Sequence, residues 1–382
     1  MKKINATNAI FFLSYSCFLF IIMYNNVSFL QNVFKYINLL GCLLLVLILI
    51  VQNDSYSFKT FFKNISVISI SLIVFFAGVK SNRTDYYFVE LFLLLFFSKK
   101  ILLENIIKFD FIFKIVNILI IVFLAKVGII ENLVFLRDGI TREALGFTHP
   151  NVFAALLVTC NIDMLYLSTK NNNYKKITII FSVLSLIIIS VVANSRSSFL
   201  LLIFMLFVYI FEDKKIVKSI KYIKHIVIFL FPICCITSLY LTHLFSINND
   251  FGIIVNKILS ERLYFNSIYL KNHNLNLFGN ALYFTGFDAL HHYGHYNMIL
   301  DNSYIYILLR FGMISIILFS ILFYFLLKKL YKEKKYFLIY VFVAFFLYGM
   351  FERHSFVVFY NPFLMCIKYI IYKKEGVEKD EI

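Results

Sequence analysis

Apolar residues run through this chain in blocks of about 15 to 20, the length that spans a hydrocarbon layer as a helix. The spans drawn from them are 7–24, 33–51, 61–79, 84–98, 109–127, 151–168, 177–193, 198–211, 225–243, 303–327, 336–350 and 355–372. The pattern predicts an all-α polytopic membrane protein of about twelve helices, forming one integral domain over residues 1–382. Two connections on one side stand out. One runs from about Val127 to Pro150, the other from 244 to 301, and the second is a large extracytoplasmic loop. Every other connection on that side is short.

Composition agrees. Hydrophobic residues make up 61% of the chain and charged ones 15%, far from the balance of a soluble domain. The start, Met1-Lys2-Lys3 followed by an apolar run, reads as an uncleaved first helix, because no small-x-small site follows Tyr24. The six cysteines lie inside apolar runs without metal or disulfide spacing and read as helix packing. The formal net charge is +16. Cytoplasmic lysines beside an anionic leaflet account for it, so no nucleic acid is called for.

Lysine and arginine divide between the two sides. With the N-terminus inside, 23 of the 30 lysines fall at the cytoplasmic face, including Lys170/Lys175/Lys176 and Lys328/Lys329/Lys332. All seven arginines, Arg83, Arg137, Arg142, Arg196, Arg262, Arg310 and Arg353, fall at the outer face, together with seven of the eight histidines. Lysine sets orientation. Arginine on the side that should be poor in positive charge points to another task, and its planar five-donor fork suits phosphate.

Four constellations could carry chemistry. Arg142 to Asn151 leads into the sixth span, so Arg142 and His149 sit beside a helix start that presents free N–H groups to an anion. The blander reading is a loop with a Pro150 start and an Asn or Thr cap. Asn194-Ser195-Arg196-Ser197-Ser198 places Arg196 near the surface, facing an anionic site or snorkelling to lipid phosphates. The long loop holds Arg262, Leu277-Phe278-Gly279-Asn280 and His291-His292-Tyr293-Gly294-His295, and closes on Asp301-Asn302-Ser303 and Arg310-Phe311-Gly312. The histidines lack the further ligands of a zinc site, and the aromatic, polar loop suits sugar better. Asp301 otherwise reads as the cap of the tenth helix. Glu352-Arg353-His354 fills the last short turn, as part of a site or as an ion pair ending two helices.

Taken in order, these motifs resemble the Wzy-type polysaccharide polymerases and O-antigen ligases of bacteria. The shared elements are Arg142 with Gly146-Phe147-x-His149-Pro150-Asn151, then Ser195-Arg196, then a large outer loop ended by a short motif. In the ligases that motif is similar to His-Asn, nine residues, Gly. Here Asn302 and Gly312 are so spaced, but Asp301 stands at the histidine position, which favours polymerase over ligase. The resemblance implies a GT-C-like architecture at the cytoplasmic membrane. It implies a glycosyltransferase that joins undecaprenyl-pyrophosphate-linked oligosaccharides, donor and acceptor both lipid-borne, working beside a chain-length regulator and with no cofactor or metal. Pyrophosphate binding is expected of Arg142, Arg196, Arg262 and Arg310. Asp301, His149 and His295 are the candidate bases, and Asn151, Asn302, Glu352 and Arg353 are possible additions. The competing classes are an O-antigen ligase and a lipid-linked oligosaccharide flippase or transporter. The last two would carry charges along a central path inside the helices.

Overall fold

A computed structural model describes residues 6–27, 30–51, 87–137, 139–211, 219–280, 282 and 300–372. The chain is mostly helical. Its elements are α1 (Ala6–Met23), α2 (Gln31–Val51), α3 (Tyr87–Phe97), α4 (Leu103–Lys126), β1 (Val134–Arg137), β2 (Ile140–Glu143), α5 (Pro150–Lys170), α6 (Lys175–Ile188) and α7 (Arg196–Ile210). Then come α8 (Lys224–Ile228), α9 (Leu230–Ser246), α10 (Asp250–Ile258), α11 (Arg262–Asn272), α12 (Ser303–Lys332), α13 (Tyr336–Tyr348) and the single turn α14 (Lys368–Ile371). Among the described residues, four helices are long and apolar enough to cross a membrane: Ala6–Met23, Pro150–Lys170, Lys175–Ala193 and Ser303–Lys332. The bent pair Ser219–Ile228 and Leu230–Ser246 makes a fifth if it is one span. The span drawn at 61–79 lies outside the described residues.

Prolines explain two departures from the spans drawn. Over 225–243 the pattern predicts one helix, but it bends by 60° between Ile228 and Leu230. Pro232 has no N–H to offer the Ile228 carbonyl, and its ring crowds that oxygen, so the helix restarts just ahead of it. Over 355–372 the pattern also predicts one helix. The structure has 3₁₀ segments at Arg353–Phe356 and Pro362–Ile367, then α14. Pro362 excludes Asn361 from the α region, and Asn361 lies at φ −141°, ψ 77°, outside it.

The chain forms two compact units. The first holds the described residues up to 51, then 93–211 and 358–372. In it α4 and α7 lie against α5, and the β1–β2 hairpin pairs Phe135 with Arg142 and Leu136 with Thr141. Its interior contains a polar cluster. The Tyr15 hydroxyl donates to Asp110 Oδ1 at 2.7 Å. Lys114, one turn on, pairs with the same carboxylate and donates to Thr159 Oγ1 at 3.5 Å. Asp163 sits in the field of both charges. Tyr15, Asp110, Lys114 and Asp163 have no exposed surface, and the Asp110–Lys114 pair is one whose charges compensate inside the unit.

The second unit holds residues 87–92 and 219–357 of those described. Its core is aromatic: Phe231, Tyr304, Phe319, Phe323, Phe346 and Phe356 pack ring against ring, with Phe231 and Phe323 centroids 5.0 Å apart. The long connection after α9 is structured where described. It holds α10, α11 and an irregular stretch through 276–280.

Candidate functional site

In the second unit, Arg262 is the first residue of α11, where the chain turns through two left-handed residues, Ser260 at φ 52° and Glu261 at φ 64°. Its Nη2 donates to Glu352 Oε1 at 2.7 Å, and its Nε lies 3.4 Å from Asp301 Oδ2. One guanidinium from the long loop therefore ties together its closing aspartate and the glutamate of the last turn. Burial works against the Arg262 charge, and Glu352 and Asp301 more than compensate, raising its pKa further above the ordinary arginine range.

Asp301 keeps 29% of its side-chain surface exposed, while Glu352 keeps 3%. Burial raises the Asp301 carboxyl above its ordinary value. Arg262 opposes that rise, Glu352 adds to it, and Arg353 and His354 oppose it. Burial and the Arg353 charge hold the half-buried His354 imidazole well below its ordinary value of 6.5, with Asp301 pulling the other way. Asp301 does not cap α12. That role falls to Asn302, whose Oδ1 accepts Tyr304 N–H at 3.0 Å and Ile305 N–H at 3.1 Å. Asn302 Nδ2 donates to Ser238 Oγ and to the Met350 carbonyl, each at 3.0 Å. Ser303 Oγ donates to the Glu352 carbonyl at 2.7 Å. The start of α12 is thus latched to the turn carrying Glu352 and Arg353, and Asp301 is left beside Arg262.

Arg353 lies over the Tyr306 ring, 5.4 Å from its centroid, within cation–π range. Both line a narrow cleft, with room for little more than a water, together with Phe88, Ile307, Phe311 and Phe356. Sequence reasoning missed Tyr306. Its signal was the spacing of four from Asn302, which sets it one turn into the same helix. Arg310 is buried in α12, two residues before the helix breaks at Gly312 (φ 85°, ψ 175°).

In the first unit, Arg142 on β2 joins two stretches that the sequence treats as separate. Its Nε donates to the Ala193 carbonyl at 2.8 Å and its Nη2 to Asn151 Oδ1 at 2.6 Å. Ala193 ends the π-helical turn Ile189–Ala193 that follows α6. Asn194 then reverses the chain in the left-handed region (φ 43°), and Arg196 opens α7. Arg142 is 5% exposed, so its fork is engaged by the protein. Arg196 is exposed at a helix start, where N–H groups and the helix dipole favour an anion.

His149, and neither Asn nor Thr, caps α5: its Nδ1 accepts Asn151 N–H at 3.1 Å. A neutral imidazole with Nδ1 accepting carries its proton on Nε2, which makes His149 a donor in this arrangement. Its ring meets Phe135 edge-on at 4.8 Å between centroids. Gly146, at φ 89°, presses against α4, where a Cβ would come within 2.9 Å of Ile121. Glu143 is held as a carboxylate below its ordinary range by hydrogen bonds from Asn132 and Lys126. His295 and Arg83 lie outside the described residues. The structure therefore brings together Arg142, His149 and Asn151 in one unit, and Arg262, Asp301, Asn302, Glu352 and Arg353 in the other. Among the described residues no cluster of His, Cys, Asp and Glu has the make-up of a metal site.

In comparisons with known proteins, no family model, no characterised protein and no solved structure matches this chain.

Proposed function

We propose that this chain is a multi-pass glycosyltransferase of the cytoplasmic membrane, with about twelve spans, that polymerises lipid-pyrophosphate-linked oligosaccharide repeats on the outer face. The observation that carries this reading is the Arg262–Asp301–Glu352 cluster. It sets a partly exposed carboxylate, held by a guanidinium, at the end of the large loop and beside a cleft lined by Tyr306 and Arg353. The apolar helices and the arginine bias support the membrane setting.

In this reading an acceptor hydroxyl attacks the anomeric carbon of the donor glycan. The new C–O bond forms as the bond to the lipid pyrophosphate breaks. The hydroxyl proton passes to the Asp301 carboxylate, and the electron pair leaves on the pyrophosphate. Arg262 favours the ionised form of Asp301 against the effect of burial and orients it, and Glu352 fixes Arg262 in turn. Guanidinium groups preorganised for the leaving charge supply the electrostatic part of catalysis. Arg196, exposed at a helix start, is the strongest of the four sequence-derived candidates for that task. Arg142 and Arg310 are buried and the Arg262 side chain is only 17% exposed.

The test is polymerisation by the purified protein, in lipid nanodiscs, of a lipid-pyrophosphate-linked repeat supplied as both donor and acceptor. A ladder of products differing by one repeat supports the proposal. Transfer to a different final acceptor with no ladder makes the chain a ligase. Movement of the lipid-linked repeat across the bilayer with no new glycosidic bond makes it a flippase. Both of the latter results overturn the polymerase reading.

A further inference from the structure

Helix α10 is amphipathic in an unusual place. Asn249 Oδ1 caps it by accepting Phe251 N–H at 3.0 Å. Gly252 and Asn256 form its buried face. Gly252 lies directly on the last turn of α9, where a Cβ would come within 2.6 Å of Phe245 N. Asn256 Oδ1 accepts Tyr264 N–H at 3.0 Å and so fixes the corner into α11. The opposite face carries Phe251, Ile254 and Ile258, exposed by 56%, 57% and 68%. Their spacing of three and four makes one apolar stripe, edged by the exposed Asp250 and Lys257.

Two observations name what covers this stripe. First, α9 is an apolar helix with the same kind of exposed stripe, Ile233, Ile236 and Tyr240, and α10 crosses its final turn. The apolar face of α10 therefore sits where an apolar helix ends, which in the membrane setting proposed above is the boundary between acyl chains and headgroups. Second, three side chains offer far less than the roughly 800 Å² per partner of a stable protein interface, whereas a short amphipathic helix needs no more to lie in a lipid surface.

We propose that α10 is an interfacial helix resting in the headgroup–acyl boundary of the outer leaflet. Through the rigid corner at Ser260 and Glu261 it holds Arg262 at the depth of lipid phosphates. The inference rests on the membrane setting proposed above and deepens it, since the loop site would meet its lipid-borne substrate at the depth where the pyrophosphate lies.

The chain contains no tryptophan, so Ile254→Trp places a single, selectively excitable tryptophan on the stripe, and Ile236→Trp a single one on α9. The protein is placed in nanodiscs of phosphatidylcholine with bromine on the acyl chains, near the headgroup or near the chain ends. The inference expects Ile254→Trp to emit to the blue of free tryptophan amide, to lose intensity to the headgroup-proximal bromine, and to resist aqueous iodide. Ile236→Trp should lose intensity to the deeper bromine. Quenching at Ile236→Trp with iodide-accessible, lipid-blind emission at Ile254→Trp overturns the inference and leaves the membrane setting standing. No lipid quenching at either position overturns both.

Discussion

Gly279 and Gly312 lie backbone against backbone: a Cβ on Gly312 would come within 2.5 Å of Gly279 N, and one on Gly279 within 2.8 Å of Phe311 N. Both residues have φ near 85°. The contact lets Asn280 N–H reach the Leu309 carbonyl at 2.7 Å and Met313 N–H reach the Asn276 carbonyl at 3.0 Å. The irregular 276–280 stretch thus satisfies backbone groups left open by the break in α12, as buried backbone demands. Gly312→Ala and Gly279→Ala should each cost more than about 3 kcal/mol, from strain at positive φ and from backbone overlap. Gly128 also has positive φ but nothing within 4 Å, so Gly128→Ala should cost only about 1–2 kcal/mol. Thermal unfolding in detergent compares the three variants.

Arg142 and Arg196 should separate under the same conservative change. Lysine cannot reproduce a fork that donates at once to Ala193 and Asn151. Arg142→Lys is expected to lose roughly 1.5–3 kcal/mol of stability. Arg196 is exposed, so Arg196→Lys should cost less stability than Arg142→Lys. If Arg196 binds pyrophosphate, its variant should make polymer roughly 10- to 100-fold more slowly. Unfolding midpoints and initial polymerisation rates, measured on the same preparations, check both statements.

Asp301 and Asn302 are neighbours with separable roles. Asp301→Asn should cut turnover by about 10²–10⁴-fold with little loss of folding, since removing a general base has that effect. Asn302→Ala should lower stability by at least about 1–2 kcal/mol, through loss of the cap and of the bonds to Ser238 and Met350. An active Asp301→Asn variant would remove the aspartate from the mechanism.

The acid limb of the rate profile should follow Asp301. Its folded pKa is raised, chiefly by burial, so the folded chain binds this proton more tightly than the unfolded one. The stability linked to it is present below the ordinary 3.8 and falls as pH rises through the raised value. Activity runs the other way, because a base must be ionised, so the rate should rise with pH through a limb above 3.8. Glu352→Gln removes a like charge that raises this pKa and should move the limb to lower pH, as a pH–kcat/KM profile would show.

His354 carries the opposite linkage. Its folded pKa is depressed, so its contribution to stability is full above 6.5 and is lost as pH falls below that value. His354→Phe should flatten the acid side of the stability curve measured by chemical unfolding.

Much of the architecture was legible in the order of residues. Apolar blocks long enough to satisfy their own backbone as helices mark α1, α5, α6 with its π-helical end, and α12. The glycines and arginines worth naming were also visible, because positive φ and bidentate donors are tied to residue type. The partners of those residues were not visible. Arg262 and Glu352 stand 90 positions apart. The Asp110–Lys114 pair could be read from its spacing of four, but Tyr15 and Asp163 join it only through tertiary packing. His149 replaced Asn or Thr as the cap of α5 because its Nδ1 reached Asn151 N–H, a detail of side-chain placement.

By itself, then, the sequence marked the long apolar helices, since hydropathy adds up locally along the chain. Tertiary structure alone decided which arginines are consumed by the protein, which carboxylate is left beside one, and which residue caps each helix. Those outcomes turn on contacts of about 3 Å between distant segments, and no local sum of residue preferences contains them.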